Sequence, residues 1–367
     1  MRVLLTLWVK EWLALSRDLH GLAVLFLMPA VFIVIMSLAL SDVFRDGAGR
    51  QTVFAVLAAG GPNVSQALAD DLAGEGFTST AAPDNEAAAR EQVRKGRLAL
   101  VLIVPEKFGA DPRAKLTLLA DPTLPPMQIA AFLQRLQGAT LGVKNAAPPL
   151  NLEVVGNPRG GKPSSVQQNV PAWLIFGMFF VVLPISALFI VERRDGTLAR
   201  LVSQRVPFSM LLLGKVGPFF VINLAQTALM LAAGVTLVPW LGGESLALPS
   251  RWDLLAAVAA STSLAAIGWG LLVAVASRTL EQATVIGGVG NILAAALGGI
   301  MVPRFVMPES MQPWAALSPM AWALDGFHAV ILRQGSLADI ALPSAKLLGL
   351  AAAFLAAALW LHQRRRT

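Results

Sequence analysis

The chain contains no cysteine, which excludes a disulfide scaffold, a thiol nucleophile and a cysteine-ligated zinc site, and leaves the redox compartment open. Charge is scarce as well. Only 14% of the 367 residues are Asp, Glu, Lys or Arg, against about a quarter in ordinary globular chains, which must cover a water-facing surface. With 56% hydrophobic residues, much of the surface must face lipid instead. His20, His328 and His362 are scattered, and a lone histidine is more often an interfacial or capping side chain than a ligand. No His-Glu-x-x-His, Gly-x-Ser-x-Gly or dinucleotide fingerprint is present, since Gly268-x-Gly270 and Gly288-x-Gly290 lack the third glycine. No catalytic residue and no metal ligand is expected in this chain. The net charge of +7 would suit nucleic acid only as a basic face on a soluble domain. Here the basic residues flank apolar runs, so no nucleic-acid partner is expected.

Six runs approach or meet the roughly 20 apolar residues a helix needs to cross the hydrocarbon core. They are Leu22–Leu40, Ala172–Val191, Val216–Val238, Leu254–Ala276, Thr284–Val302 and Leu342–Leu361. The first run is longer than a signal-peptide core and follows a long segment with acids as well as bases, so it reads as a retained anchor. Positive residues near a span stay in the cytoplasm. Arg193, Arg194, Arg200, Arg205 and Lys215 crowd the 192–215 loop, Arg364, Arg365 and Arg366 end the chain, and Leu241–Asp253 holds only Arg251. Six crossings put both termini on one side, which these charges make cytoplasmic. The expected fold is therefore an all-α transmembrane domain of six helices with an inserted extracytoplasmic mixed α/β domain. Residues 1–21 form a cytoplasmic interfacial helix, 22–40 the first crossing, 41–170 the inserted domain and its linker, and 171–367 five further helices with an extracytoplasmic loop at 303–341.

Within the insertion, "TVFAVLA", "LALVLIVP" and "KLTLLAD" read as buried strands. "VSQALADDLAGEG", "NEAAAREQVRKG" and a stretch near Gln128–Val143 read as helices. Arg90, Arg94 and Arg97 form a basic stripe, read as a solvated face. In "GNPRGGKPS", Gly156, Gly161 and Lys162 stand at P-loop spacing, but a working loop needs a Ser or Thr after the lysine for magnesium. Pro163 stands there, and Pro158 removes a further N–H donor. The stretch is not expected to bind nucleotide.

Ahead of the first span, Leu4, Trp8, Trp12, Leu15 and Leu19 recur at helical spacing with Lys10, Arg17 and Asp18 opposite. Such a helix either lies along the membrane surface or runs on into the first span. The segment "VERRDGTLARLVSQRVPFSMLLLGKVGPF" carries a membrane helix out into a charged turn and a short amphipathic helix. Glu192 and Asp195 lie near its N-terminal end, Thr197 is a cap or first-turn residue, and Leu198, Leu201 and Val202 form the apolar face.

These residues resemble the permease subunits of ABC exporters of the ABC-2 type, whose motif reads Glu-Arg-Glu-x-Gly-Thr-Leu-x-x-Leu. Glu192, Arg193, Gly196, Thr197, Leu198 and Leu201 match it, Arg194 and Asp195 approximate it, and Pro207, Gly214 and Lys215 follow at similar positions. "KEWLALSRDLHGLAVLFLMPAV", "GNPRGGKPSSVQQNVPAW" and "MVPRFVMPESMQPWAALSPMAWALDGF" resemble the family's start, its linker to the second span and its loop before the last span. The resemblance implies a half-transporter in the bacterial inner membrane that pairs with a second permease, identical or paralogous. It also implies a separate ATP-binding subunit holding ATP and magnesium, with no cofactor in this chain. Glu192, Arg193, Asp195, Gly196, Thr197, Leu198 and Leu201 would contact that subunit, braced by Lys10, Glu11, Arg17 and Asp18. The inserted domain leaves room for a periplasmic partner.

Asn223, Gln226 and Thr227 in the third run and Asn291 in the fifth are candidates for the translocation path, although uncharged polar groups also bond helix to helix. Gly287, Gly288, Gly290, Ala294 and Gly298 give the fifth run a small-residue face, for close packing or for a dimer. The runs offer no Asp or Glu, so a proton-coupled mechanism lacks a carboxylate carrier. An apolar path suits a hydrophobic or amphipathic cargo such as a drug, lipid or glycolipid. The rival readings are a receptor sensing a ligand through the inserted domain, and a lipid enzyme built on Asp325 and His328.

Overall fold

A computed structural model of the chain describes residues 2–39, 52–58, 62–74, 77–95, 97–105, 115–121, 124, 126–140, 150–154, 165–301, 307 and 311–364. The linker at 156–164, Leu40, Val302, Pro303, Pro308, Arg365 and Arg366 lie outside these residues.

Among the described residues, six helices are long and apolar enough to cross a membrane. After α1 (Arg2–Arg17) come α2 (Leu19–Ala39), an inserted α/β region, and then α6 (Ser165–Phe179) with α7 (Val182–Arg194) as one broken span. A short α8 (Thr197–Ser203) leads to α9 (Phe208–Trp240), α10 (Trp252–Ala276) and α11 (Leu280–Gly298). Finally α12 (Gln312–Ala315) and α13 (Pro319–Ile331) precede the sixth long helix, α14 (Leu337–Arg364). Each of the six apolar runs of the sequence coincides with one of these helices, although the fifth runs on past the end of α11 at Gly298 and its last residue, like the last of the first run, lies outside the described residues. One basic residue lies inside the sixth run itself: Lys346 of α14, which stands over the Trp322 ring at 5.5 Å.

Helix α10 is the axis of the bundle, packed by α14, α7, α9 and α13. Its small residues permit this: a Cβ on Gly268 would meet the backbone of Ala351 in α14 at 3.2 Å, and small side chains are what let membrane helices approach closely. The small face of α11 is used in the same way. Gly287 lies against Val182 of α7, Gly290 against Trp269 of α10, and Gly298 against Ser318 and Ala321 at the start of α13, whereas Gly288 has nothing within 4 Å of where a Cβ would stand.

Helices α1 and α2 are separate. The break falls at Asp18, whose Oδ1 accepts the Gly21 N–H at 2.9 Å and so caps α2. The second break, between α6 and α7, follows from Pro184, which has no N–H to give to the Phe180 carbonyl. Leu183 N takes that carbonyl instead at 3.0 Å, which frees the carbonyl of Phe179.

The inserted region is a five-stranded sheet in the order β2-β1-β3-β4-β5, with β1 (Thr52–Ala58), β2 (Phe77–Ser79), β3 (Leu100–Val104), β4 (Leu116–Ala120) and β5 (Leu150–Val154). Only the β3–β4 pairing is antiparallel, with Val101 opposite Leu119. Helices α3 (Pro62–Leu72) and α5 (Pro126–Thr140) cover one face around Phe54, Phe77 and Phe132, and α4 (Glu86–Arg94) covers the other through Ala89 and Val93. Three central strands read from the sequence are present; the edge strands β2 and β5 are additions. Asn85 caps α4 as its side chain accepts the Ala88 N–H at 2.8 Å.

The arginine stripe of α4 is not simply solvated. Arg94 bonds Asp339 in the first turn of α14, and Arg90 bonds Glu153 of β5. A second tie joins Asp121, just past β4, to Arg333, just past α13, at 3.3 Å. The sheet is thus fastened to the α13–α14 connection at two points. Arg94→Ala and Asp339→Ala are each expected to lower the melting temperature of the purified protein, and the double variant no further than the worse single one. Full additivity in that double-mutant cycle would show that the pair is not coupled.

Candidate functional site

Four charges from three helices meet under the 192–201 loop. Lys215 Nζ of α9 lies 2.8 Å from Glu11 Oε1 of α1 and 2.9 Å from Glu192 Oε2 of α7. Lys10 Nζ lies 2.9 Å from Glu11 Oε1 and also contacts Glu192. Glu11 and Lys215 are each only 2% exposed. Two ammonium groups and two carboxylates cancel, which is the condition for charges to survive at such burial. The burial of Lys10 pushes its ammonium down, but Glu11 and Glu192 beside it outweigh this and hold it above its usual value.

This arrangement corrects the side of α1 assigned to Lys10. Leu7, Glu11 and Leu15 are buried, whereas Trp8 and Trp12 are exposed. Lys10, placed on the outer side by the helical spacing, turns inward to its two carboxylates. The ion pairs set the rotation of the helix, with Leu7 seated against Gly214 of α9 and Trp8 Nε1 donating to Leu213 O at 3.4 Å. Arg17 remains exposed, and Asp18 serves as the α2 cap.

The neighbouring motif residue, Arg193, caps another helix. Its Nη1 donates to the Ser277 carbonyl at 2.7 Å and its Nη2 to that of Ala274 at 3.1 Å, satisfying the end of α10, where a cation also suits the dipole. Its guanidinium lies 5.1 Å from the Phe189 ring centre. Arg194 and Asp195 form an exposed pair at 3.5 Å. Gly196 has φ +74 and nothing within 4 Å of where a Cβ would stand, so the backbone angle rather than space calls for glycine; another residue would be strained by about 1–2 kcal/mol. Thr197 opens α8. Leu198 packs on the bundle core, Leu201 is half-buried, and Ala199, Arg200 and Ser203 face outward.

The intramembrane polar residues have partners in the protein. Asn223 Nδ2 donates to Ser263 Oγ at 3.1 Å, Thr227 Oγ1 to Asn223 O at 2.9 Å, and Asn291 Nδ2 to the freed Phe179 O at 2.8 Å. Gln226 Nε2 donates to Leu25 O. All four side chains are buried; those of Asn223, Gln226 and Asn291 bond one helix to another, and that of Thr227 bonds within α9. Their neighbourhood includes an apolar groove of about 250 Å³ between α2, α7 and α11, lined by Gly21, Val24, Leu25, Leu183 and Leu280, with Asp18 at one end. Among the described residues no cluster of His, Asp or Glu could hold a metal, and His328 is 7% exposed inside the bundle.

Lys215 is the member of the cluster that the sequence named only as a loop charge and a family-like position, with no role at the site. It reads as one more loop charge, but it stands in "LLLGKVGPFF", and an ionisable group inside an apolar run is a functional candidate by default.

A broken second span, a glycine turn and a short helix held against its neighbours agree with the membrane-spanning subunit of an ABC transporter, the class that the family match gives. The chain belongs to the ABC-2 family of transporter proteins, whose family model matches residues 21–361. It is also similar to the linearmycin resistance permease protein LnrN of Bacillus subtilis (strain 168), 27% identical over 184 residues that cover 49% of this chain and 45% of the relative. The match therefore spans less than half the length of either protein.

Removing Lys215 would leave Glu11 and Glu192 buried beside Lys10 alone. Lys215→Met is expected to destabilise the protein by about 3–5 kcal/mol, whereas Arg200→Ala on the outer face of α8 should change stability by less than about 0.5 kcal/mol. Thermal melts of the purified variants in detergent decide this. Equal melting temperatures would refute the assignment of the cluster as a buried, mutually dependent set.

Proposed function

We propose that this chain is the membrane half of an ATP-driven exporter, embedded in a bacterial inner membrane with both termini cytoplasmic and the sheet outside. Two permease chains, identical or paralogous, enclose the path. A separate subunit binds and hydrolyses Mg-ATP against α8. The observation that carries this reading is the Lys10–Glu11–Glu192–Lys215 cluster, because it fixes an otherwise exposed short helix to the bundle at the membrane boundary. The 192–201 loop leaves α7 beside Glu192, Lys215 extends the tie to α9, Lys10 and Glu11 extend it to α1, and Arg193 extends it to the end of α10. A force applied to the outer face of α8 is thus received by four helices together rather than absorbed by a loose loop.

The cargo is hydrophobic or amphipathic. The groove between α2, α7 and α11 is lined mostly by apolar side chains, with Asp18 at one end, and the relative named for linearmycin resistance supports a drug-like compound. The cost of dehydrating a polar solute in such a groove would disfavour its passage.

Affinity purification of the tagged chain from its native membrane in mild detergent tests the partnership. A soluble protein with Walker motifs and Mg-ATPase activity should come with it. It should be lost from Arg194→Glu/Arg200→Glu, which alters only exposed positions and should leave the melting temperature unchanged. Recovery of the chain without a nucleotide-binding partner would overturn the exporter reading in favour of a receptor.

A further inference from the structure

Pro29 stands within α2. Proline has no N–H, so the carbonyl of Leu25, four residues earlier, lacks its helical donor, and hydrocarbon holds no water to replace it. The donor comes from α9, where Gln226 Nε2 bonds Leu25 O from 201 residues away. Gly177 of α6 closes the joint. A Cβ there would come within 2.5 Å of both Gln226 Nε2 and the Pro29 ring.

The two arms of α2 on either side of this joint are held differently. After Pro29, Ser165 Oγ of α6 donates to Ser37 O at 2.6 Å, Asn169 Nδ2 donates to Met36 O at 3.2 Å, and Phe32 stacks on Trp173 at 4.3 Å. Before Pro29, Gly21–Val24 offers only hydrogen or aliphatic side chains, and Val24 is 44% exposed. That looser arm forms a wall of the apolar groove, and Asp18 at its start follows directly on α1, which carries Lys10 and Glu11.

We propose that the Pro29–Gln226 pair is a pivot, with Gln226 as its positioning residue. The arm after Pro29 stays fixed to α6, while the Gly21–Leu25 arm swings with α1 and widens or narrows the groove. The Gln226 bond keeps the Leu25 carbonyl satisfied through the swing, because a long amide side chain can follow a carbonyl that a helical N–H could not. This rests on the groove being the path of the cargo, as proposed above.

A double-mutant cycle and a distance measurement test it. Gln226→Leu should lower the melting temperature by several degrees. Pro29→Ala returns an N–H to Leu25 O, so Pro29→Ala/Gln226→Leu should recover most of that loss, an outcome a purely apolar packing role for Gln226 would not give. Because the chain has no native cysteine, spin labels at Val24→Cys and Leu280→Cys report the groove width alone. In the full chain in lipid nanodiscs the distance distribution should be broad, and Pro29→Ala should narrow it to one population. A double variant no more stable than Gln226→Leu, or the same distribution with and without Pro29, would overturn the pivot. Neither measurement needs the ATP-binding partner, so failure to recover that partner would sink the exporter reading and leave this result standing.

Discussion

A carbonyl inside hydrocarbon has no water to turn to, and the bundle is organised around this constraint. At several prolines and helix ends within it a carbonyl is freed, and a side chain from elsewhere in the chain bonds it. Gln226 serves Leu25 below Pro29, and Asn291 serves Phe179 at the break set by Pro184. Ser165 and Asn169 close the end of α2, Arg193 closes the end of α10, Ser318 takes the carbonyl of Ala294 in α11, and Ser245 reaches Val235 below Pro239. These side chains lie where the backbone is broken, and most tie a broken helix to a neighbour; Asn223 instead bonds the Ser263 side chain of α10, and Thr227 bonds within α9.

The charged cluster obeys the same constraint with larger stakes. Burying one ion costs several kcal/mol unless it is paired, so Lys215 inside α9 forces carboxylates to come to it, and only Glu11 and Glu192 do so. In consequence α1 cannot rotate freely on the membrane surface. Trp8 and Trp12 stay on the exposed side of α1, with Trp8 lying along α9 beside Gly217 and Leu213.

How much of this was legible depended on the range of the interaction. The six spans could be read because the bilayer imposes a length of about 20 apolar residues on each one locally. The central strands β1, β3 and β4 could be read because strands covered on both faces are continuous apolar runs. The edge strand β5, "LNLEV", is covered less and carries Asn151 and Glu153, so its sequence gives no such signal. The motif residues Glu192 through Leu201 could be named from the family resemblance, but their division of labour could not. That Glu192 is buried, Arg193 is a cap and Gly196 is a backbone requirement depends on Lys10, Lys215 and Ser277, which approach only in the folded bundle. The arginines of α4 were misread for the same reason: Asp339 lies 245 residues away from Arg94.

These ties also divide the molecule into parts that move together and parts that do not. The sheet is joined through Arg94 and Asp121 to the α13–α14 connection, and α14 packs along α10. Arg193 holds the far end of α10 to α7. A displacement of α7 at Glu192 is therefore passed by α10 and α14 toward the sheet through close-packed small residues, which transmit rather than absorb it. Helix α2 packs on α6 and α9 rather than on that column, and among the described residues the one side-chain hydrogen bond reaching its arm between Gly21 and Pro29 is that of Gln226. The stiff column and the hinged helix share one input, the ion cluster, and the groove lies between them. A push at α8 that moves both by different amounts must change the width of that groove.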